Sequence, residues 1–341
     1  MIRVVIVIVS LIFLFVIACQ KESPVSNRVK GTSVTLSFPS YFPATGMIDD
    51  EPLTLEGIAL GKKLFYENRL SKDGSISCAS CHQQVAAFGT YDHDLSHGIN
   101  NQHSNRNAPP LFNLPWQSFF GWDGQYRSIS EIAAAHIRSK TDMAGNFSTI
   151  SNILKSDPSY PALFKNAFGT PDVNEERIGK ALQQFAGSII SASTKYDSVR
   201  QELAVFSQQE KAGYTLFKTH CNGCHTEPLF TDMSFRNNGL PPSLLNDIGR
   251  ERITGKPEDR YRFRVPTLRN LFLSFPFMHD GRLVAFSQIY EHYAMVNQVN
   301  APLIDPSLKN GIVLTPDEQQ ALTAFLRTLT QFDFPDRPEY R

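Results

Sequence analysis

Two short units limit what this chain can fold around: "SISCASCHQQ" at residues 75–84 and "HCNGCHTEP" at 220–228. Each sets two cysteines three apart and a histidine directly after the second. That is the attachment pattern of c-type haem. Each thiol adds to one vinyl group, and the two-residue spacer lets both sulfurs reach along one edge of the porphyrin. The adjacent histidine turns its imidazole under the iron as the proximal ligand. Cys78, Cys81 and His82 therefore hold one haem, and Cys221, Cys224 and His225 a second. Two rival readings fit less well. A thioredoxin-like redox motif expects one CxxC in a βαβ context. A shared zinc site would have to join pairs separated by 139 residues and leaves both histidines unexplained.

The N-terminus decides the compartment. Arg3 precedes an apolar run, Val4–Ala18, interrupted only by Ser10. The run is shorter than the roughly 20 residues that span a bilayer, so it reads as a signal peptide. It ends "VIAC", which resembles a lipoprotein signal with Cys19 as the lipidated residue; an uncleaved anchor helix is the alternative. Both readings place the rest of the chain outside the cytoplasm, in the periplasm. With Cys19 assigned, the chain's other four cysteines all lie in the two CxxCH units, so none is left for a structural disulfide. Lys plus Arg equals Asp plus Glu at 33 each, a balance that does not point to a nucleic-acid binder, which would usually be basic.

The expected division is a signal peptide at 1–19, a polar flexible tether at 20–45, an N-terminal haem domain at 46–200 and a C-terminal haem domain at 201–335. Each half places an amphipathic helix before its CxxCH unit. Both helices carry G-x-x-L-F, at Gly61–Phe65 and Gly213–Phe217, which suggests duplication of a cytochrome c unit alike only in this helix and the attachment site. Ser207 with Glu210, and Thr315 with Pro316 and Glu318, mark helix starts. Residues 173–191 form a further helical stripe through Ile178, Leu182, Phe185 and Ile189. Alternating strand patterns are scarce. The expected fold is mostly α: two cytochrome c-like domains with long loops, each around one covalent haem.

The segments "LGKKLFYENRLSKDGSISCASCH", "RNAPPLFN", "GWDGQYRSI", "KALQQFAGSIISASTKYD", "GYTLFKTHCNGCH", "FRVPTLRN" and "PFMHDG" occur in this order. Together they resemble the bacterial di-haem cytochrome c peroxidase family, which includes the MauG-type enzymes, over about residues 50–335. The resemblance implies that the N-terminal haem binds hydrogen peroxide and that the C-terminal haem relays electrons to it from a small cytochrome c or cupredoxin. It implies electron relay through Trp122, in "GWDG", between the haems. Asp142 stands twenty residues after Trp122, where the family has a glutamate, and would serve as acid–base group over the peroxide site. It is one methylene shorter than that glutamate. His97, ten residues before Asn107, matches a movable distal histidine, with His93 and His103 nearby.

Fourteen residues after His279 stands Tyr293, at the position of the second haem's distal ligand. The MauG type has tyrosine there and the peroxidases methionine; Met278 and Met295 remain alternatives. A tyrosinate favours the ferric state, whereas methionine raises the potential. The resemblance also implies a calcium ion on oxygen ligands from Asn107, Ser274 and Pro276, and a homodimer. Oxidation of residues on a partner protein, as in MauG-type enzymes, and electron transfer without catalysis are the alternative functions.

Overall fold

The computed structural model describes residues 31–46, 52–91, 93–298 and 303–341. The apolar leader and Cys19 lie outside the described residues. Eleven helices are described among these residues: α1 Leu55–Phe65, α2 Cys78–Cys81, α3 Ile129–Arg138, α4 Phe147–Ser156, α5 Ser159–Phe168, α6 Glu175–Ser188, α7 Lys195–Arg200, α8 Gln208–His220, α9 Glu251–Thr254, α10 Phe286–Met295 and α11 Pro316–Arg327. Two short strands, β1 Phe235–Arg236 and β2 Phe263–Arg264, pair antiparallel. The caps anticipated at Ser207 and Thr315 form, each hydroxyl accepting from the N–H of the glutamate three residues on. Helices α3, α4 and α5 have no counterpart among the sequence expectations. The first two carry side-chain caps at Ser128 and Asn146 but bury only short stripes, such as Ile150 and Leu154 in α4, and α5 has no side-chain cap.

Each half is built on one helix crossing. In the first, α1 meets α6 at Gly61, where a Cβ would fall 1.9 Å from Ala181 O and 2.8 Å from Phe185 Cβ. In the second, α8 meets α11 at Gly213, where a Cβ would fall 1.9 Å from Ala321 O and 2.9 Å from Phe325 Cβ. Only glycine permits so close an approach of backbones. The partner helices share the pattern A-L-x-x-F, at Ala181–Phe185 and Ala321–Phe325. Leu60, Leu64, Phe65, Leu182 and Phe185 fill the first core. Phe217, Phe230, Leu322, Phe325 and Leu326 belong to the second.

The likeness between halves extends further. P-x-L-x-N occurs at Pro109–Asn113 and at Pro266–Asn270. Both asparagines have left-handed φ, 53° and 56°. Asn113 N–H donates to Ile189 O at 2.9 Å and its Oδ1 accepts from Ser191 N–H at 2.9 Å. Asn270 does the same with Leu329 O, at 3.0 Å, and Gln331 N–H, at 2.9 Å. Ser191 and Gln331 meet at the centre, with Ser191 Oγ 3.4 Å from Gln331 Oε1. The duplication therefore covers the helix crossing, the attachment unit and the loop that returns across it. This is wider than the helix and site alone.

Residues 31–45, the far part of the expected tether, lie against the body. Phe42 is buried, and Phe38 and Phe42 pack edge-on to Trp116, whose Nε1–H donates to Pro43 O at 2.7 Å. Tyr41 OH donates to Asp197 Oδ1 at 2.8 Å. A polar, proline-containing stretch thus holds its place through three aromatic rings, a feature that overall polarity does not register.

Candidate functional site

The first attachment turn is short and well capped. Ser77 N–H donates to Ser80 Oγ at 3.0 Å, and His82 N–H closes on Cys78 O at 2.9 Å. The chain then doubles back through left-handed Ala87 and Phe88, which aims Phe88 O at His82 Nδ1, 2.8 Å away. A carbonyl can only accept, so Nδ1 carries the proton and the Nε2 lone pair is free to bind a metal. Burial drives the His82 pKa down to about 4, which keeps the imidazole neutral. The second turn repeats this design. His225 N–H bonds Cys221 O at 2.9 Å, and Nδ1 faces Phe230 O at 3.2 Å and Pro266 O at 3.1 Å. Burial lowers the pKa of His225 as well.

The expected site residues gather around these turns. Cys81 Sγ lies 3.9 Å from His97 O. The next residue, Gly98, lies flat on the Thr141–Asp142 backbone: a Cβ there would fall 2.0 Å from Thr141 O. Asp142 O accepts from Ile99 N–H at 2.8 Å. Asp142 is thus bolted beside the first turn, close enough for its charge to act on Cys81. Burial pushes its carboxyl up, but hydrogen bonds from His136, Ser139 and Thr141 outweigh this and hold it below the usual range. The His97 ring packs between His93 and His103 in tilted contacts, at centroid distances of 4.8 and 4.3 Å, and its Nδ1 meets Asn101 Oδ1 at 2.5 Å.

Trp122 is buried between the halves. Its Nε1–H donates to Asn107 O at 2.8 Å, and its carbonyl accepts from Arg264 N–H at 2.7 Å. The neighbouring Asp123 binds Arg106, of the first half, at 2.8 Å and Arg252, of the second, at 2.6 Å. Arg106 also binds Asp247 at 2.6 Å. These pairs clamp the halves together around the indole. Asn107 N–H donates to His279 O at 2.9 Å, bringing it against the 274–281 segment that holds Ser274 and Pro276. Its side-chain amide donates to Asp94 O at 2.9 Å.

On the second site, Tyr293 is close enough to feel both Cys221 and Cys224, and burial pushes its phenol up to about 12. Asn238 hydrogen-bonds Tyr293, and its Nδ2 donates to Met278 Sδ at 3.4 Å. The two candidate distal ligands thus share one amide, which nothing in the sequence pattern announced. Met295 is 46% exposed, on the surface.

Arg264 provides a test of whether haem fits this framework. It is buried, its Nε has no hydrogen-bond partner, and burial lowers its pKa to about 10 with no opposing carboxylate. A buried guanidinium in that state requires an anion. Haem propionates are anions of the right kind, so the residues fit two haems c: Cys78, Cys81 and His82 for one, Cys221, Cys224 and His225 for the other.

The comparisons with known proteins agree. Residues 55–204 match the family described as di-haem cytochrome c peroxidase. The methylamine utilization protein MauG of Methylorubrum extorquens is 34% identical over 286 residues, 82% of this chain and 79% of that one. The cytochrome c551 peroxidase of Nitrosomonas europaea is 32% identical over 323 residues, 90% of this chain and 92% of that one. Among solved structures, a MauG-like protein associated with microbial copper homeostasis superposes with a TM-score of 0.83 at 26% identity, over 91% of this chain and 99% of that one. The chain belongs to the di-haem cytochrome c peroxidase family, in which MauG and the cytochrome c551 peroxidases stand side by side.

Proposed function

We propose that this protein reduces hydrogen peroxide to water with electrons from a small periplasmic donor, relayed from the C-terminal to the N-terminal haem. The observation that carries this reading is the first site: an attachment turn whose histidine keeps Nε2 free, with a carboxylate fixed beside it. When bound, haem c supplies an iron that can hold peroxide and exchange single electrons. Asp142 takes a proton from one peroxide oxygen and returns it to the other. Trp122, buried and clamped between the halves, is the relay. Tyr293 would hold the iron of the second haem, with Asn238 donating to its oxygen; Met278 is the competitor. His97 would serve the first haem as a movable distal ligand, one that must be displaced before peroxide can bind. Asn107, Ser274 and Pro276 hold a calcium ion; the bond from Asn107 to the 274–281 segment supports this. Cys19 carries the lipid anchor that keeps the exported protein at the membrane, and the protein forms a homodimer. The donor is a cytochrome c or a cupredoxin.

The test is steady-state peroxide consumption with a reduced donor, with and without partial pre-reduction, alongside the spin state of the N-terminal haem. A high-spin ferric signal that reacts with peroxide is expected. Asp142→Asn should lower turnover by roughly 100-fold or more with both haems retained, in the range of general acid–base contributions. Two six-coordinate haems inert to peroxide would instead make the protein an electron carrier. The position of Tyr293 favours a second reading, oxidation of residues on a partner protein, which slow turnover with cytochrome donors would support.

A further inference from the structure

The carboxylate beside the first turn has a partner that the sequence motifs do not contain. His136, in the last turn of α3, places Nδ1 2.7 Å from Asp142 Oδ2. Their exposures differ: the His136 side chain is 55% exposed and that of Asp142 23%. The Asp142 backbone is held at both ends, its N–H 3.3 Å from Ser139 O and its carbonyl on Ile99 N–H. Its second oxygen, Oδ1, accepts from Thr141 Oγ1 at 3.3 Å. Bonds to both carboxylate oxygens thus hold the side chain, and the more exposed histidine lies on its wetter side.

We propose that His136 is the positioning residue and proton relay for Asp142, orienting its carboxylate and linking it to bulk water. This rests on the reading of Asp142 as the proton-transfer group. Peroxide, two electrons and two protons yield two waters; the donor protein supplies the electrons and solvent the protons. Asp142 alone only shuttles a proton from one oxygen to the other, so the net protons need a path. His136 takes a proton from water at Nε2 and gives its Nδ1 proton to Asp142 Oδ2. Exchange with water then returns the ring to the Nδ1–H form. The pair faces three other titratable groups: Asp142 acts on Cys81 and Tyr126, and His136 acts on His82. Haem attachment removes Cys81 and His82 from titration, and burial raises the Tyr126 phenol further above neutrality.

The test uses the holoprotein and His136→Gln, a side chain that can hydrogen-bond but cannot carry a proton. The first readout is cyanide association with the ferric N-terminal haem, because hydrogen cyanide must lose its proton to a neighbouring base. We expect a fall of about tenfold for His136→Gln and a larger one for Asp142→Asn, with the double variant no slower than Asp142→Asn, as expected for groups acting as one unit. The second is the pH profile. Without His136 the Asp142 carboxyl loses the partner that holds it down, so the acid limb should move to higher pH. Covalent haem content should not change. If Asp142→Asn slows cyanide while His136→Gln changes neither rate nor acid limb, the relay is refuted and the peroxidase reading stands. If Asp142→Asn itself has no effect, both fall.

Discussion

Asp197→Ala tests how the second site is held. Asp197 and Arg269 are both fully buried and joined by two bonds, Nη1 to Oδ2 at 2.8 Å and Nη2 to Oδ1 at 2.7 Å. Arg269 also donates from Nε to Pro228 O at 2.9 Å, and Leu268 N–H bonds Phe230 O at 3.2 Å. The ion pair thus fixes Arg269 against α7, while its Nε bond and that of Leu268 tie the 266–270 segment to the 228–230 loop, and these two supply the carbonyls that face His225 Nδ1. Removing the carboxylate leaves a guanidinium without its counter-ion in the interior. That costs about 3–5 kcal/mol. At about 2 °C per kcal/mol for a chain of this size, Tm should fall by about 6–10 °C. Burial pushes the Asp197 carboxyl up, but Arg269, Thr194 and Tyr41 outweigh it and hold it below the usual range. A depressed carboxyl stabilises above its unfolded value of about 4, and that stabilisation is lost as pH falls through the folded value. The gap between wild type and variant should therefore narrow in acid. Calorimetry of the holoprotein at pH 7 and at falling pH measures both effects. The double variant Asp197→Leu with Arg269→Met should recover most of the loss. A Tm for Asp197→Ala within about 2 °C of wild type, or a double variant worse than the single, would refute the argument from an unpaired charge.

Three further outcomes follow from the geometry. Gly213→Val should force α8 from α11, lower stability by about 1–3 kcal/mol or more, and reduce haem attachment at Cys221 and Cys224 more than at Cys78 and Cys81, read by mass spectrometry of haem peptides; equal loss at both sites would count against independent crossings. Tyr293→Phe should turn the second haem's low-spin ferric signal high-spin without loss of covalent haem, whereas Met278→Ala should leave it nearly unchanged; the reverse pattern assigns the ligand to Met278. Cys19→Ser should move the protein from the membrane fraction to the soluble periplasm, and a soluble wild type would sink the lipid anchor.

The CxxCH units were legible because thiol and imidazole spacing is dictated by the porphyrin itself. The helices before them were legible because Leu64 and Phe65 or Leu216 and Phe217 recur at helical spacing with glycine ahead. The extent of the duplication was harder to see. A-L-x-x-F and P-x-L-x-N are short, and their meaning lies in contacts across the fold: Gly61 on Ala181, Asn113 on Ser191. His136 and Asn238 were invisible for the same reason. Neither belongs to a local motif, and each matters only because the loops bring it to Asp142, or to Met278 and Tyr293. Residues 31–45 misled because composition averages over Phe38, Tyr41 and Phe42, three rings that are enough to hold a polar segment down.

The two halves share a helix crossing, an attachment turn and a returning loop, so duplication alone would yield two equal haem sites. Their chemistry diverges on what the loops add. Around the first turn the chain places Asp142 and its partner His136, to which we assign proton transfer, and the 93–103 loop with its three histidines. Around the second it places Tyr293, Met278 and Asn238, the groups we propose to set that haem's potential, while the nearby carboxylates of Asp232 and Asp305 are both paired with Arg236. Trp122 and Arg264 lie on the seam, the Trp122 backbone carbonyl accepting from the Arg264 N–H at 2.7 Å. A symmetric pair of sites could only exchange an electron back and forth. Proton-handling groups on one side and potential-setting groups on the other give the exchange a direction. That asymmetry explains why a duplicated electron carrier can act as an enzyme.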